Sequence, residues 1–217
     1  MIITAINLQT KNSNRVNIII DGEYKLSLDV YQLGILGIKV GGVVSQNDID
    51  KLREESSFGK LYAQALKYCL MRPHSSQEIK DYLFKKTLDR KVKNYKTGEI
   101  NNRQGVNSKI SDRVYNRLVD KGYVDDEKFA CWWIRNRKIN TGISIRKLRQ
   151  ELSAKRVSND IIDMVLAQSD RDDNCEIIKI INKKRSRYPD ENKMIAYLAR
   201  QGFSYEDIKH GLDSLKD

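Results

Sequence analysis

The sequence has few of the residues that break regular structure. Its 217 residues include only two prolines and twelve glycines, which argues against low-complexity disorder and against a turn-rich all-β chain. No apolar run approaches the ~20 residues that a membrane-spanning helix needs. The N-terminus also lacks the basic segment and apolar stretch of a secretory signal. We therefore expect a cytoplasmic protein without a membrane partner.

Residues that build reactive sites are equally scarce. Two histidines and the lack of a Cys-x-x-Cys pair leave little material for a zinc site. Cys69, Cys131 and Cys175 are odd in number and far apart, which is typical of small buried residues in a reducing compartment. The chain also lacks a glycine-rich phosphate loop and a Gly-x-Ser-x-Gly nucleophile motif. We expect no catalytic residue, metal site, cofactor or small-molecule substrate, and we predict that the protein is not an enzyme.

Positive charge is abundant, and it is unevenly distributed. The net charge is +11, yet residues 1–57 hold six basic and seven acidic side chains. Residues 58–217 hold 34 basic and 22 acidic side chains. The whole positive excess therefore belongs to the second part of the chain, which indicates two units with different roles and an acidic or polyanionic partner for the second.

The near-neutral N-terminal part is predicted to be a small α+β domain. Short β-branched runs at Ile2–Leu8, Arg15–Asp21 and Tyr24–Leu28 are separated by turn residues, and Asp21-Gly22 is a strong hairpin signal. A helix is predicted over Ser45–Glu55, with Ser45 as its N-cap.

From Gly59 onward the apolar period is helical, and one pattern recurs three times. The second helix of each copy carries a pair of apolar residues: Ile79 and Leu83, then Leu148 and Leu152, then Met194 and Leu198. The third helix of each copy is predicted to begin at a serine: Ser111, Ser158 and Ser204. The first helix of each copy precedes these two helices and is predicted at Leu61–Met71, Phe129–Lys138 and Cys175–Lys184. Chance likeness between amphipathic helices is the alternative, but the shared spacing favours true repetition.

The fold class predicted is mainly α, with tandem three-helix repeats in three copies forming an elongated array, preceded by a small β-containing N-terminal domain. The expected domains are the α+β unit at 1–57, repeat 1 at 58–128, repeat 2 at 129–170 and repeat 3 at 171–217. Repeat 1 carries a basic insert at about 87–109, which we interpret as a flexible hairpin or loop.

The candidate partner-binding or DNA-binding residues are basic side chains of repeats 2 and 3, which we call the basic face. Its members are Arg135, Arg137, Lys138, Arg146, Lys147, Arg149, Lys155, Arg156, Lys183, Lys184, Arg185 and Arg187. An ordinary solvated surface is the alternative, but almost no acid is interleaved among them. On the predicted helix Ser144–Lys155, Arg146 and Arg149 lie opposite the apolar stripe.

Two neighbouring motifs allow a functional and a structural interpretation. Trp132 and Trp133, with Phe129, suggest a base-stacking platform, but core packing is favoured for Phe129 and Trp133, and Trp132 stays open. Asp125-Asp126-Glu127 suggests a metal site, but it directly precedes a helix, so helix capping is favoured.

The run GYVDDEKFACWWIRNRKINTGISIRKLRQELSAKRV, residues 122–157, resembles the central signature of the RecX family of recombination regulators. The matching positions are Gly122, Tyr123, Val124, Asp125, Asp126, Phe129, Ala130, Trp133, Arg135, Arg137, Gly142, Ile145, Leu148 and Leu152. The resemblance extends through the three repeats and to the β-containing N-terminal extension of longer members. The insert of repeat 1 departs from the short connection that is usual in the family.

The resemblance implies a cytoplasmic protein that binds the RecA recombinase and lodges in the groove of its nucleoprotein filament. Such proteins restrain the ATPase, strand-exchange and coprotease activities of RecA in recombination and DNA repair, and weak binding to DNA is associated with them. A stand-alone DNA-binding protein with helix-turn-helix-like repeats is the alternative function.

Overall fold

The computed structural model describes residues 1–95 and 97–215. Across these residues the order of elements begins β1 (Ile3–Gln9), β2 (Asn12–Ile20), β3 (Glu23–Asp29), α1 (Val30–Ile35), α2 (Gln46–Met71) and α3 (Ser76–Thr87). It continues with β4 (Arg90–Lys93), β5 (Ile100–Arg103), α4 (Ser108–Asp120), α5 (Asp126–Asn136), α6 (Ile145–Ala154), α7 (Asn159–Ala167), α8 (Asp173–Lys184), α9 (Glu191–Arg200) and α10 (Tyr205–Asp213). The prediction of a mainly α chain behind a small sheet is confirmed.

The chain divides into two compact units. The first contains Met1–Arg72 and Ile79–Tyr123, and the second contains Pro73–Glu78 and the chain from Val124 onward. The boundary predicted at residue 57 falls inside α2, and the four-part division of the chain stays a prediction.

The N-terminal sheet is an antiparallel meander in the order β1-β2-β3. Asp21 and Gly22 form the two-residue turn between β2 and β3, and both have positive φ, at 50° and 81°, as a type I′ turn requires. The predicted hairpin is therefore confirmed. β2 begins at Asn12, three residues before the predicted Arg15, because Asn12 pairs with Gln9 at the end of β1.

One face of the sheet forms a core with the start of α2. Val16, Ile18 and Ile20 alternate along β2 and are buried, and they share a cluster with Ile49 and Leu52. Burial of this apolar face fixes the strand register, since a one-residue slip would turn these side chains to water.

The predicted break between the helices Ser45–Glu55 and Leu61–Met71 is wrong, because α2 runs through it. Ser56 is buried and its Oγ donates to the carbonyl oxygen of Ser27 in β3. A Cβ at Gly59 would lie 2.5 Å from Oε1 of Gln32. These small residues allow close packing of a continuous helix and do not end it. Ser45 caps α2 as predicted, and it forms a capping box with Asp48.

Three helix trios follow: α2–α4, α5–α7 and α8–α10. The paired apolar residues of the three second helices are all buried, namely Ile79, Leu83, Leu148, Leu152, Met194 and Leu198. Ser158 and Ser204 cap α7 and α10 as predicted. Ser111 does not cap α4, which begins one turn earlier at the N-cap Asn107 and buries Ser111 inside the helix. The predicted insert forms an antiparallel hairpin of β4 and β5.

Candidate functional site

The second trio is held together by a polar cluster around Glu151 of α6. Arg137 donates from Nε and Nη2 to the two carboxylate oxygens, at 2.7 and 2.8 Å, and Trp133 Nε1 donates at 3.0 Å. Burial alone would raise the pKa of Glu151, but these donors outweigh it and lower the pKa. The Glu151 bonds in turn raise the pKa of Arg137. Arg137 was predicted to bind a partner, but two of its N–H groups already bind Glu151 within the protein.

Two more members of the basic face have acidic neighbours. Lys155 Nζ lies 2.5 Å from Oε1 of Glu78 and 5.4 Å from the ring centroid of Trp133. Arg149 pairs with Asp163 of α7, and both side chains are about half exposed. An exposed ion pair of this kind is easily exchanged for another anion.

Three arginines of the second trio, Arg135, Arg146 and Arg156, remain available to an external partner. All three are exposed, and among the described residues none of them has a carboxylate partner. Arg156 also has positive φ, at 61°. Lys138, half-buried, has φ of 47°. These three arginines can therefore bind an external anion without losing an internal ion pair.

The remaining members lie near the junction with the third trio or at the end of α8. Lys147 Nζ donates to Oε1 of Gln201 at 3.3 Å. Arg187 lies 5.8 Å from the ring centroid of Tyr188. Lys183 and Arg185 are exposed, and Lys184 is half-buried.

A buried ion pair joins the second and third trios, and the sequence analysis missed it. Glu176 is 1% exposed and accepts from Arg171 Nη1 at 2.8 Å, Lys179 Nζ at 2.7 Å and the backbone N–H of Ile143 at 3.0 Å. Arg171 also donates to the carbonyl oxygens of Ile134 and Arg137. The sequence does carry a signal for this pair, because Glu176 directly precedes Ile177 and both lie on the buried side of α8.

A second contact between these trios involves the start of α6. Ser144 Oγ donates to the carbonyl oxygen of Gln201 at 2.7 Å and accepts from the N–H of Lys147. A Cβ at Gly202 would lie 2.8 Å from that Oγ. The close approach requires glycine at this position.

The aromatic motif is mostly structural. Phe129 is fully buried, and Trp132 and Trp133 are half-buried against the same core cluster. Trp133 is therefore less buried than predicted, because its indole edge binds Glu151 and its ring lies beside the charged groups of Arg137 and Lys155.

The acidic motif caps helices, as predicted. Asp125 accepts from the N–H of Lys128, and Asp126 accepts from the N–H and Oγ of Ser76. Burial opposes the ionisation of Asp125, but its bonds to Lys128 outweigh it and lower the pKa. Over residues 1–95 and 97–215, no three His, Cys, Asp or Glu side chains gather as a metal site would need.

The three cysteines differ in exposure, and no helix among the described residues could span a membrane. Cys69, Cys131 and Cys175 are all free, but Cys175 is exposed on α8, contrary to the expectation of buried thiols. In the part of the chain that the structure describes, every helix is too short or too polar to cross a membrane.

These features define a helical-repeat protein with a basic surface and an N-terminal sheet. Residues 1–45 match the RecX N-terminal domain, and residues 125–166 match the second three-helix domain of RecX. The regulatory protein RecX of Bacillus pumilus (strain SAFR-032) is 30% identical over 224 residues, which cover 99% of this chain and 78% of that protein. The RecX protein of Bacillus subtilis (strain 168) is 27% identical over 221 residues, covering 99% of this chain and 77% of that protein.

Solved structures agree in fold. A crystal structure of a regulatory protein RecX matches with a TM-score of 0.71 at 19% identity, covering 98% of each chain. A crystal structure of RecX from Lactobacillus salivarius matches with a TM-score of 0.54, covering 74% of this chain. The chain belongs to the RecX family of regulatory proteins.

Proposed function

We propose that this protein is a cytoplasmic regulator of the RecA recombinase that binds the RecA nucleoprotein filament. Binding restrains the ATPase, strand-exchange and coprotease activities of RecA during recombination, repair and the SOS response. Membership of the RecX family is the observation that carries this proposal, because the relatives that match nearly the whole chain are named regulatory proteins.

The basic face supplies the electrostatic part of the interaction. Arg135, Arg146 and Arg156 are exposed and lack carboxylate partners among the described residues, so binding an anion costs them no internal ion pair. The DNA of a RecA filament presents phosphates, which lysine and arginine side chains neutralise. Long-range attraction between such surfaces speeds encounter and depends on ionic strength.

The junction between the second and third trios favours a preformed binding surface. The buried Glu176–Arg171 pair and the close contact of Gly202 with Ser144 connect the two trios. A surface that is ordered before binding loses less conformational entropy on association. Contact with several RecA protomers would then favour one filament state through its higher affinity for that state.

Charge removal tests the proposal. The variant R135Q/R146Q/R156Q removes three unpaired cations, and K11Q/K39Q/K51Q removes three exposed cations from the first unit as a matched control. We expect the first variant to need at least tenfold more protein to half-inhibit the DNA-dependent ATPase of RecA, and the control to inhibit normally. Equal inhibition by the two variants would show that another surface binds the filament.

The alternative function, a stand-alone DNA-binding protein, makes a different prediction. It requires tight and steeply salt-dependent binding to naked DNA. Under our proposal, binding to DNA alone is weak and binding to RecA filaments is strong. Fluorescence anisotropy over a salt series, with and without RecA, distinguishes the two.

A further inference from the structure

A second concentration of positive charge lies in the first unit. A groove of about 910 Å³ lies between α2 and the base of the β4–β5 hairpin. Five basic residues line it: Arg53, Lys60, Lys86, Arg90 and Arg103. Glu54 and Asp89 are the two acids of the lining, and Asp89 already accepts from the N–H of Gly105 at 2.7 Å.

The positive charges of the groove repel one another. Arg90 and Arg103 are directly paired across the two strands of the hairpin, an arrangement of like charges that destabilises a strand pair. Neither they nor Lys60 and Lys86 form an ion pair with a described carboxylate. Both arginines are exposed, so solvent screens their repulsion, but it still disfavours the pairing of these two strands.

The pKa values of two lysines agree with this placement. Burial, followed by the charges of Arg15 and Arg103, lowers the pKa of Lys60. Burial, followed by the charges of Arg90 and Arg103, lowers the pKa of Lys86. Arg103 therefore lies within electrostatic reach of both lysines, one on α2 and one on α3.

The base of the hairpin is fixed in position, so the charge concentration is built into the fold. The N–H of Val106 donates to the carbonyl oxygen of Lys86 at 2.9 Å. A Cβ at Gly105 would overlap the carbonyl oxygen of Thr87, so the returning strand passes directly against the end of α3. This anchoring holds Arg90 and Arg103 beside Lys86.

The other lining groups indicate which anion fits. Gln104, Asn107 and Ser108 line the same groove, and Asn107 and Ser108 form the start of α4. Arginine, lysine, serine, asparagine and glutamine side chains, together with helix N-termini, are the groups that bind nucleic-acid phosphates. Large apolar anchors, which an acidic peptide would need for affinity, are few in this lining.

We infer that the groove between α2 and the hairpin binds the phosphodiester backbone of a nucleic acid strand. Lys60, Lys86, Arg90 and Arg103 neutralise successive phosphates, and binding relieves the repulsion between Arg90 and Arg103. The inference does not rest on the proposed function, because the groove lies in the first unit and is tested without RecA.

The test uses the full chain and a fluorescein-labelled oligothymidylate of 20 nucleotides. K60Q/R103Q removes two groove cations, and K91Q/K93Q removes two cations from the other face of the same hairpin. We expect K60Q/R103Q to weaken binding at least tenfold and to reduce the salt dependence of the binding constant by about 1.4 logarithmic units per decade of salt. The control should bind within about twofold of wild type. Equal weakening by both variants would overturn the inference.

Two further measurements keep the result independent of folding. Hydrogen exchange should show slower exchange of the hairpin amides when the oligonucleotide is added to wild type, but not when it is added to K60Q/R103Q. Unchanged exchange in wild type would contradict the inference. Polyglutamate is the competing probe, and displacement of the oligonucleotide by polyglutamate at equal charge concentration would assign the groove to acidic protein segments instead.

Discussion

Arg156 and Gly202 occupy the same position in consecutive helix trios, and both have a left-handed backbone, with φ of 61° and 95°. Each follows the C-cap of the second helix of its trio. The N–H of Val157 bonds to the carbonyl oxygen of Leu152, and that of Phe203 bonds to the carbonyl oxygen of Leu198, which is the same Schellman turn in both trios. The second trio thus has an exposed arginine where the third has the glycine that the turn favours.

The left-handed backbone of Arg156 destabilises the folded protein relative to glycine at this position. A left-handed residue with a Cβ costs about 1 kcal/mol relative to glycine. The greater freedom of glycine in the unfolded chain cancels part of that advantage. We expect R156G to stabilise the second unit by roughly 0.5 kcal/mol. Urea denaturation followed by tryptophan fluorescence measures it, because Trp132 and Trp133 are the two tryptophans of the chain and both lie in that unit.

R156A is the matched control for this prediction. It removes the same charged group but keeps the Cβ, so it should lack the gain in stability. If the side chain serves partner binding, R156G and R156A should weaken inhibition of RecA equally. A loss of stability in R156G, or wild-type inhibition by both variants, would contradict this interpretation.

Glu176 should be among the most sensitive positions of the second unit. E176A leaves Arg171, whose side chain is 8% exposed, without its carboxylate and should cost about 3 kcal/mol or more in the free energy of unfolding. D163A breaks the exposed pair with Arg149 and should cost less than about 1 kcal/mol. The same urea experiment compares the two variants, and similar costs for both would show that the buried pair does not stabilise the junction.

Local sequence signals predicted much of the fold. Asp21-Gly22 specifies its turn through the preference of both positions for positive φ, and Ser158 and Ser204 specify helix starts through their side-chain oxygens. The repeat was also visible, because each second helix must bury an apolar pair on one side, as Leu148 and Leu152 do.

Features set by distant contacts could not be predicted in this way. Ser56 and Gly59 resemble a helix break in the sequence, but packing against β3 and Gln32 keeps α2 continuous. The pairing of Arg149 with Asp163 depends on how α6 meets α7. The net charge therefore indicated a basic surface, but it could not show which basic side chains form ion pairs within the protein. Arg137, which pairs with Glu151, is an example.

The Glu151 cluster predicts a specific dependence of stability on pH. The pKa of Glu151 is lowered in the folded protein, because the bonds from Arg137 outweigh the effect of burial. Its ionised form therefore contributes stability above the unfolded pKa of about 4.3, and that contribution is lost as the pH falls through the folded pKa. E151Q should cost roughly 1 kcal/mol at pH 7, and the difference from wild type should shrink as the pH is lowered below about 4.

Urea denaturation followed by far-ultraviolet circular dichroism at pH 7, 5, 4 and 3 measures this difference without relying on the indole that Glu151 binds. R137Q is the informative second background, since it removes the guanidinium that lowers the pKa of Glu151. Adding E151Q to R137Q should cost less at pH 7 than adding it to wild type, and that cost should vary less with pH. If E151Q lowered the free energy of unfolding of wild type by the same amount from pH 7 to pH 3, the ionised carboxylate of Glu151 would not be what stabilises the contact between α5 and α6.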